Sequence, residues 1–389
     1  MVIHDIKICF INPGINIRRP ISLLMKLLKN KNYRISILTP IEKTNIRREN
    51  TRHYDDFSDI TLLTYPIWTK SSGFIWPIPI TLDFFRKGWK ILKESDIIHV
   101  WVPFYPNTFI ICLLKLLFFK NKRLILTMDT FPAYSFKVSP LLDILFKIFF
   151  KTLGKLAFIA SNYILIYGTS FIKYAENSGV PKRKIRITPT GIKINPKSSD
   201  KNIRNLLNIK SNEKVILFIG LHNKRKGIDT IIKTATLLKD ESTKFVLVGD
   251  GPEREKLINL VSSTELSEKI KFLGNRLDVH NFYNQADLFF FPSRGEGLPG
   301  VLMEAMIYQV PIVSSNIPGV RDLINHMKNG ILCETENIIC YKNAINLLLR
   351  DQTLRNKFKK NGLEMIKSNY VWEKNFLKFE SIYKKLILS

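Results

Sequence analysis

The run Leu288-Phe-Phe-Phe291 constrains the fold of this chain more than any other feature of its sequence. Its large apolar side chains alternate to both faces of a strand, so both faces of the sheet must be covered, as in parallel α/β sheets. Pro292, Ser293 and Gly295 then break the strand. Pro299 suits a first helical turn, where a missing N–H leaves no hydrogen bond unmade. The segment predicts a buried strand, a loop and a helix.

Two carboxylates flank the start of this predicted helix. Glu296 lies in the loop, and Glu304 follows eight positions later, roughly 7 Å along the helix axis at 1.5 Å per residue. A helix start offers free N–H groups and partial positive charge, which favours a phosphate. Carboxylates beside a phosphate site suit hydroxyl groups, and a nucleotide-sugar carries both groups. On spacing alone, a capping role for Glu296 and a solvated Glu304 stay open.

The alternation of strands and helices continues along the chain. Residues 7–12, 21–28 and 34–39 predict a strand–helix–strand unit, and the alternation resumes from residue 215. The polar segment 193–200 has no apolar periodicity and predicts a linker. A chain of 389 residues has room for two domains with separate cores. We therefore expect an α/β protein with domains at residues 1–193 and 194–369.

The segment Glu296–Glu304, EGLPGVLME, resembles the E-x7-E signature of the retaining glycosyltransferases of family four, which have the GT-B fold. The flanking residues follow the family's order, and the resemblance is most specific from Gly220 to Gly330. It implies two Rossmann-like domains facing across a cleft. The first would bind the acceptor, with the final helix 370–389 packing back on it, and the second would bind the donor.

The resemblance implies retaining sugar transfer from a UDP- or GDP-sugar to a glycan or lipid-linked acceptor. The products would be cell-surface polysaccharide, glycolipid or glycoprotein glycan. Glu296 would contact the sugar hydroxyls, Glu304 the ribose hydroxyls, and Lys226 the diphosphate. Further donor contacts are expected at Gly297, Leu298, Pro299, Gly300, Val301, Gly14, Gly220, Gly274 and Arg225. No metal and no cofactor are implied, because a donor phosphate oxygen would take the acceptor proton.

This chain departs from the family pattern at two charged positions. Leu221 stands where an Arg would neutralise the diphosphate, so that contact is lost unless Arg225 or Lys224 replaces it. Asp129 stands where many members have a His that reaches the donor sugar. A carboxylate could still accept a sugar hydroxyl, so Asp129 is retained as a catalytic candidate.

Acceptor contacts are expected in the first domain. Arg18 and Arg19 could meet an acceptor phosphate, although solvated loop charges explain them equally well. His99 could approach the site, or be a hydrogen-bonded core residue. The aromatic-rich segment 40–80 is a further candidate for acceptor recognition.

The basic charge of the chain suggests an anionic partner. The formal net charge is +27, and residues 1–195 hold 30 Lys and Arg against 12 Asp and Glu. A predicted helix at 138–156 carries Lys147, Lys151 and Lys155 on an otherwise apolar surface, which fits either a membrane-facing helix or a core helix with a solvated lysine face. Nucleic acid is not expected, because basic residues are not interleaved with aromatic stacking positions.

Localisation and rival functions follow from the remaining features. No apolar run reaches the ~20 residues of a membrane span, so we expect a cytoplasmic protein at the inner face of the membrane.

Four cysteines with no paired spacing predict neither a disulfide framework nor a zinc site. A nucleotide-sugar epimerase of the GT-B fold and a degenerate, non-catalytic membrane-associated protein stay open as alternatives.

Overall fold

The computed structural model describes residues 6–15, 17–42, 60–67, 78–79, 81–238 and 242–388 of the chain. The chain divides into two compact units. The first comprises the chain up to Tyr134, Val138–Thr190 and the chain from Phe376 onward. The second comprises Ser135–Lys137 and Gly191–Asn375. The predicted domains instead divide after residue 193 and assign the final helix to the first domain from residue 370.

The first unit is built on a parallel sheet. Its strands are β1 (Lys7–Ile11), β2 (Arg34–Glu42), β3 (Thr61–Ile67), β4 (Ile97–Trp101), β5 (Arg123–Met128), β6 (Tyr163–Ile166) and β7 (Ile185–Ile187). Among the described residues they form a seven-stranded sheet of order β3-β2-β1-β4-β5-β6-β7. The strand order reverses between β1 and β4, and open parallel sheets bind ligands at such a switch point, outside the carboxyl ends of the strands.

Helices of the first unit follow most of these strands. They are α1 (Arg19–Lys29), α2 (Leu82–Glu94), α3 (Pro106–Phe118), α4 (Pro140–Lys151), α5 (Leu153–Ala160) and α6 (Ile172–Asn177). The single helix predicted at 138–156 is therefore two helices. The break lies at Thr152, whose φ of −118° and ψ of −96° leave the helical region.

The second unit repeats the architecture. Its strands are β8 (Lys214–Ile219), β9 (Thr243–Val248), β10 (Ile270–Phe272), β11 (Leu288–Phe291), β12 (Ile312–Ser315) and β13 (Ile331–Cys333). Within the described residues these form a six-stranded parallel sheet of order β10-β9-β8-β11-β12-β13. The helices are α7 (Ile203–Leu206), α8 (Ile228–Leu237), α9 (Arg254–Ser262), α10 (Val279–Gln285), α11 (Gly300–Ile307), α12 (Ile338–Arg350) and α13 (Gln352–Asn369). The helix that follows, α14 (Trp372–Leu388), belongs to the first unit from Phe376 onward.

The central strand β11 is covered on both faces of the sheet. All of its side chains are fully buried. Phe289 pairs with Leu217 of β8 on one side and with Ile312 of β12 on the other. The predicted α/β class is confirmed.

The prediction for the cysteines is wrong at one pair. Cys333 ends β13 and is disulfide-bonded to Cys340 in the first turn of α12. The short turn between strand and helix brings their Cα atoms to 5.8 Å, which a spacing rule for metal sites or disulfide-rich domains does not detect. Cys9 and Cys112 are buried free thiols.

Candidate active site

The second unit places its candidate site on the connection between β11 and α11. Pro299 occupies the N-cap position of α11, so the helix begins one residue later than predicted, at Gly300. Glu296 lies in this connection, and the loop after β8 carries Lys226. Because β8 and β11 are adjacent and parallel, both loops leave the same edge of the sheet.

Glu296 is a buried carboxylate, with 7% of the residue exposed. One of its oxygens, Oε1, accepts hydrogen bonds from Lys226 Nζ at 2.7 Å and from Ser293 Oγ at 2.5 Å. The other, Oε2, lies 3.5 Å from Arg225 Nη1. Burial alone would raise the pKa of Glu296, but the Lys226 and Arg225 charges and these hydrogen bonds outweigh it and hold the pKa below 4.5. Glu296 is therefore ionised.

Local backbone geometry positions Lys226. It ends a 3-10 turn whose first residue follows Asn223, and the Asn223 side chain accepts from the Lys226 N–H at 3.2 Å. The next residue, Gly227, has a φ of 70°, and a Cβ there would lie 2.2 Å from the Pro292 carbonyl oxygen. The loop after β8 thus lies directly against the loop after β11.

Arg225 provides a second cation next to Glu296. Its guanidinium donates to the Gly295 carbonyl and lies beside Glu296. Leu221, the position at which the family resemblance leads one to expect an Arg, is instead 51% exposed. The structure therefore brings together Lys226, Arg225 and Glu296, while the roles of these residues stay predictions.

Glu304 lies in the second turn of α11 and is partly buried. Its Oε2 accepts from the hydroxyl of Tyr283 on α10 at 3.1 Å, and that hydroxyl also lies 3.2 Å from the Val301 carbonyl. Tyr283 is itself buried and stacks on Tyr308, with ring centroids 5.3 Å apart. The carboxylate is thus anchored by a neighbouring helix.

Apart from Gly14, the remaining predicted donor contacts lie at the same edge of the second sheet. Among them, the partly exposed residues are Gly297, Leu298, Gly300, Val301, Gly220 and Gly274, whereas Pro299 is buried. A turn at Gly319, with a φ of 62°, packs so closely that a Cβ there would lie 1.6 Å from the Gly297 carbonyl oxygen. The Gly319 turn thus packs directly against the backbone of the Glu296–Gly297 loop.

In the first unit, two separately predicted residues contact each other. Arg18 Nη1 is hydrogen-bonded to Asp129 Oδ2. Arg19, in contrast, is exposed on the first turn of α1. Gly14 is held through its carbonyl oxygen, which accepts from Asn12 Nδ2 and, at 3.3 Å, from Thr39 Oγ1.

His99 lies in the core of the first unit. Its side chain is completely buried, with Nδ1 2.6 Å from the Tyr383 hydroxyl and Nε2 2.7 Å from Thr127 Oγ1. Burial lowers its pKa to about 3. This geometry is the one that the core-histidine alternative predicts, because both ring nitrogens contact side chains within the fold.

The exposed face of α4 is apolar as well as basic. Lys147, Lys151 and, on α5, Lys155 are all exposed. The inner face of α4 buries Phe146 and Phe150. Its outer face exposes four aliphatic side chains at helical spacing, each by 51–67%: Leu141, Ile144, Leu145 and Ile148. The membrane-facing alternative predicts such a face, whereas a core helix with only a lysine face does not.

Three observations bound the chemistry of the described residues. They contain no group of three or more His, Cys, Asp or Glu side chains placed to hold a metal ion. No helix among them is long and apolar enough to cross a membrane. Most of the aromatic-rich segment 40–80, including Trp68, Phe74 and Trp76, lies outside the described ranges.

Ser293 and Tyr283 are the site residues that sequence reasoning missed. Ser293 counted only as a strand breaker, although a hydroxyl three residues before a loop carboxylate is a usable signal. Tyr283 gives no such signal, because its contact with Glu304 depends on how α10 packs against α11.

Comparison with known proteins gives a family match for part of the chain. Residues 199–365 match the family model of the glycosyl transferases group 1. A Methanocaldococcus jannaschii protein described as an uncharacterized glycosyltransferase is 27% identical and covers 93% of this chain and 92% of its own length.

Other relatives are matched over about half of their own length. An uncharacterized glycosyltransferase of Haemophilus influenzae is 35% identical over 37% of this chain and 42% of its own. The Campylobacter jejuni N,N'-diacetylbacillosaminyl-diphospho-undecaprenol alpha-1,3-N-acetylgalactosaminyltransferase is 28% identical over 55% of this chain and 58% of its own.

Solved structures resemble the whole chain. Anabaena HepE in complex with UDP and glucose has a TM-score of 0.78 at 17% identity, covering 98% of this chain and 100% of that one. A glycosyltransferase of Rickettsia africae has a TM-score of 0.77 at 16% identity, covering 98% and 99%. At such identities the likeness establishes the fold alone, and it is the predicted GT-B fold. Residues 199–365 thus carry the match to the glycosyl transferases group 1, and the solved structures show the fold for nearly the whole chain.

Proposed function

We propose that this protein is a retaining glycosyltransferase that moves a sugar from a nucleotide-diphosphate-sugar to a glycan or lipid-linked acceptor. The observation that carries the proposal is the buried ion pair of Lys226 and Glu296 beside the start of α11. It joins a phosphate-binding cation to a hydroxyl-binding carboxylate in the unit that carries the family match.

Lys226 supplies charge to the leaving group. When the bond between the sugar and the diphosphate breaks, negative charge develops on the terminal phosphate oxygen. A buried ammonium and the N–H groups at the start of α11 stabilise that charge more than they stabilise the ground state. Arg225 adds a second cation and takes the role of the Arg that is missing at Leu221.

The two carboxylates hold the donor by its hydroxyls. Glu296 accepts from a hydroxyl of the transferred sugar, and Glu304, anchored by Tyr283, accepts from the ribose. The acceptor oxygen then adds to the anomeric carbon on the face that the diphosphate leaves. Its proton passes to a donor phosphate oxygen, so the step needs no separate protein base.

Donor and acceptor classes follow by analogy with the similar proteins. HepE was solved with UDP and glucose, which makes UDP-sugars the first candidates, ahead of GDP-sugars. The Campylobacter relative is named for a diphospho-undecaprenol acceptor, which favours a lipid-linked diphosphate glycan. We propose that the cationic work of Lys226 and Arg225 makes the reaction independent of divalent metal ions.

A membrane partner is supported by the exposed face of α4. Aliphatic side chains that insert between lipids and lysines that meet anionic headgroups are the two components of interfacial binding. We propose that the protein works on the cytoplasmic face of an anionic membrane, where a lipid-linked acceptor is presented.

A donor panel tests the proposed function. The protein is incubated with UDP-glucose, UDP-N-acetylgalactosamine and GDP-mannose, with and without chelator, and the products are followed by NMR. We expect slow transfer of the sugar to water, which releases UDP or GDP and the free sugar in the retained anomeric form, unchanged by the chelator. A new sugar nucleotide formed without acceptor would establish the epimerase instead. No turnover of any donor would contradict the proposal.

A further inference from the structure

The ion pair of Arg18 and Asp129 lies at the ligand-binding edge of the first unit. Arg18 follows β1 and Asp129 follows β5, while β4 lies between these strands in the sheet. The pair therefore spans the carboxyl end of β4, next to the switch point between β1 and β4. Open parallel sheets bind ligands at this position.

Both members of the pair are held by rigid backbone. The Arg18 carbonyl accepts from the N–H groups of Ile21 at 2.9 Å and Ser22 at 3.1 Å, which fixes Arg18 as the N-cap of α1. Asp129 directly follows a strand residue, Met128, whose neighbour Thr127 is paired with Trp101 of β4. The backbone on both sides of the pair is thus hydrogen-bonded within the first unit.

The β1–α1 connection is also held at its start. Asn107 is fully buried on α3, and its Nδ2 donates to the carbonyls of Asn12 at 3.3 Å and Pro13 at 3.2 Å. Since α3 already holds the beginning of the connection, the Arg18 pair is not required to fasten it. This observation argues against a purely structural latch.

The pair is open to a ligand. The Arg18 side chain is 29% exposed and the Asp129 side chain is 17% exposed. Asp129 Oδ2 is occupied by Arg18, whereas Oδ1 contacts the adjacent Thr130 hydroxyl at 3.2 Å and keeps lone pairs for a further donor. A guanidinium beside a carboxylate forms a nearly neutral site with donors and an acceptor side by side, which matches a sugar hydroxyl and disfavours an added phosphate.

We propose that Arg18 is a positioning residue, which orients the Asp129 carboxylate so that Asp129 accepts a hydroxyl of a sugar bound at this edge. The inference rests on the proposed glycosyl transfer and deepens it, because it assigns Arg18 to Asp129 and not to an acceptor phosphate. It predicts that the two residues act as one unit.

A double-mutant cycle tests this unit, with UDP or GDP release from the donor panel as the probe. We expect Arg18→Gln and Asp129→Asn each to lower turnover about 10- to 100-fold, the range for a hydrogen bond to a charged group. The double variant should be no slower than Asp129→Asn alone, because Arg18 acts only through Asp129. Arg18→Lys should recover part of the loss, since it restores the charge without the planar fork.

Arg204 and Asp287 provide a matched control pair in the second unit. Their side chains are similarly exposed, 25% and 23%, and Arg204 Nη2 lies 2.9 Å from Asp287 Oδ2. Asp287 precedes β11, at the amino end of the sheet. Arg204→Gln should lower the melting temperature at least as much as Arg18→Gln while leaving turnover unchanged.

The outcomes separate the inference from the proposed function. A wild type that releases no nucleotide overturns the proposed function and the inference with it. With an active wild type, independent, multiplying effects of the two substitutions would show that Arg18 binds a ligand by itself. An Arg18→Gln variant that melts earlier but turns over normally would show a structural latch. Either result overturns the positioning role.

Discussion

At the scale of single residues, the candidate site is centred on one buried carboxylate. Glu296 is contacted by two cations and a hydroxyl, all from the second unit. A buried ion pair gives little net stability, because desolvation offsets the attraction, but loss of one partner leaves the other uncompensated. The arrangement is therefore better explained by function than by stability.

Replacing Glu296 should abolish most turnover. We expect Glu296→Gln to lower turnover about 100-fold, because a charged transition-state contact is lost. Steady-state rates on the accepted donor measure the effect. Glu213→Gln is the control, since Glu213 forms a partly buried pair with Lys244 at 3.4 Å in the same unit. Equal rates for both variants would remove Glu296 from the site.

The lowered pKa of Glu296 makes part of the stability dependent on pH. A carboxyl whose folded pKa lies below its unfolded value stabilises the fold fully above the unfolded pKa, near 4.5, and less as pH falls through the folded pKa. Urea unfolding between about pH 3 and pH 6 should therefore show a steeper acid loss for wild type than for Glu296→Gln. Parallel curves for the two proteins would contradict the assigned pKa.

At the scale of elements, the strand–loop–helix unit around Glu296 could be predicted because its signals are local. An apolar run, a break and a proline fix β11 and α11 to within one residue. Parallel pairing of β8 and β11 then brings Lys226 to Glu296. The contacts of Tyr283 and the burial of His99 could not be predicted, because both depend on partners supplied by other helices.

The turn at Gly319 should stabilise this strand–loop–helix segment. In Gly319→Ala, the positive φ and the overlap with the Gly297 carbonyl should together cost about 2–4 kcal/mol of unfolding free energy and reduce turnover. Gly179→Ala is the matched control: its φ is 93°, but the nearest atom to a Cβ lies 3.9 Å away. It should lose only about 1 kcal/mol. Similar losses in both variants would show that the close approach to Gly297 is unimportant.

At the scale of the whole molecule, the proposed membrane binding combines a net charge of +27 with the exposed face of α4. Each lysine near an anionic surface contributes about 1 kcal/mol, so three contribute roughly two decades of partitioning. Insertion of aliphatic side chains adds a component that salt does not screen. Binding should thus have a salt-sensitive and a salt-resistant part.

Liposome sedimentation separates these parts. Wild type should bind vesicles with phosphatidylglycerol and remain in the supernatant with phosphatidylcholine alone. Changing Lys147, Lys151 and Lys155 to Gln should weaken binding about 100-fold. The same change at Lys357, Lys360 and Lys367, exposed on α13, removes equal charge and should weaken it less. Wild type left in the supernatant at low salt would disprove the membrane face.

The bond between His99 and Tyr383 also has a consequence for the order of events during synthesis. These partners are 284 positions apart, and α14, which supplies Tyr383, is translated after the whole of the second unit. Domains usually fold in the order in which the ribosome makes them. Here the second unit, whose chain is almost continuous, can finish first, while the earlier-made sheet waits for its last helix with an unsatisfied histidine and open apolar surface. For this interval the nascent chain depends on chaperones more than its finished form does.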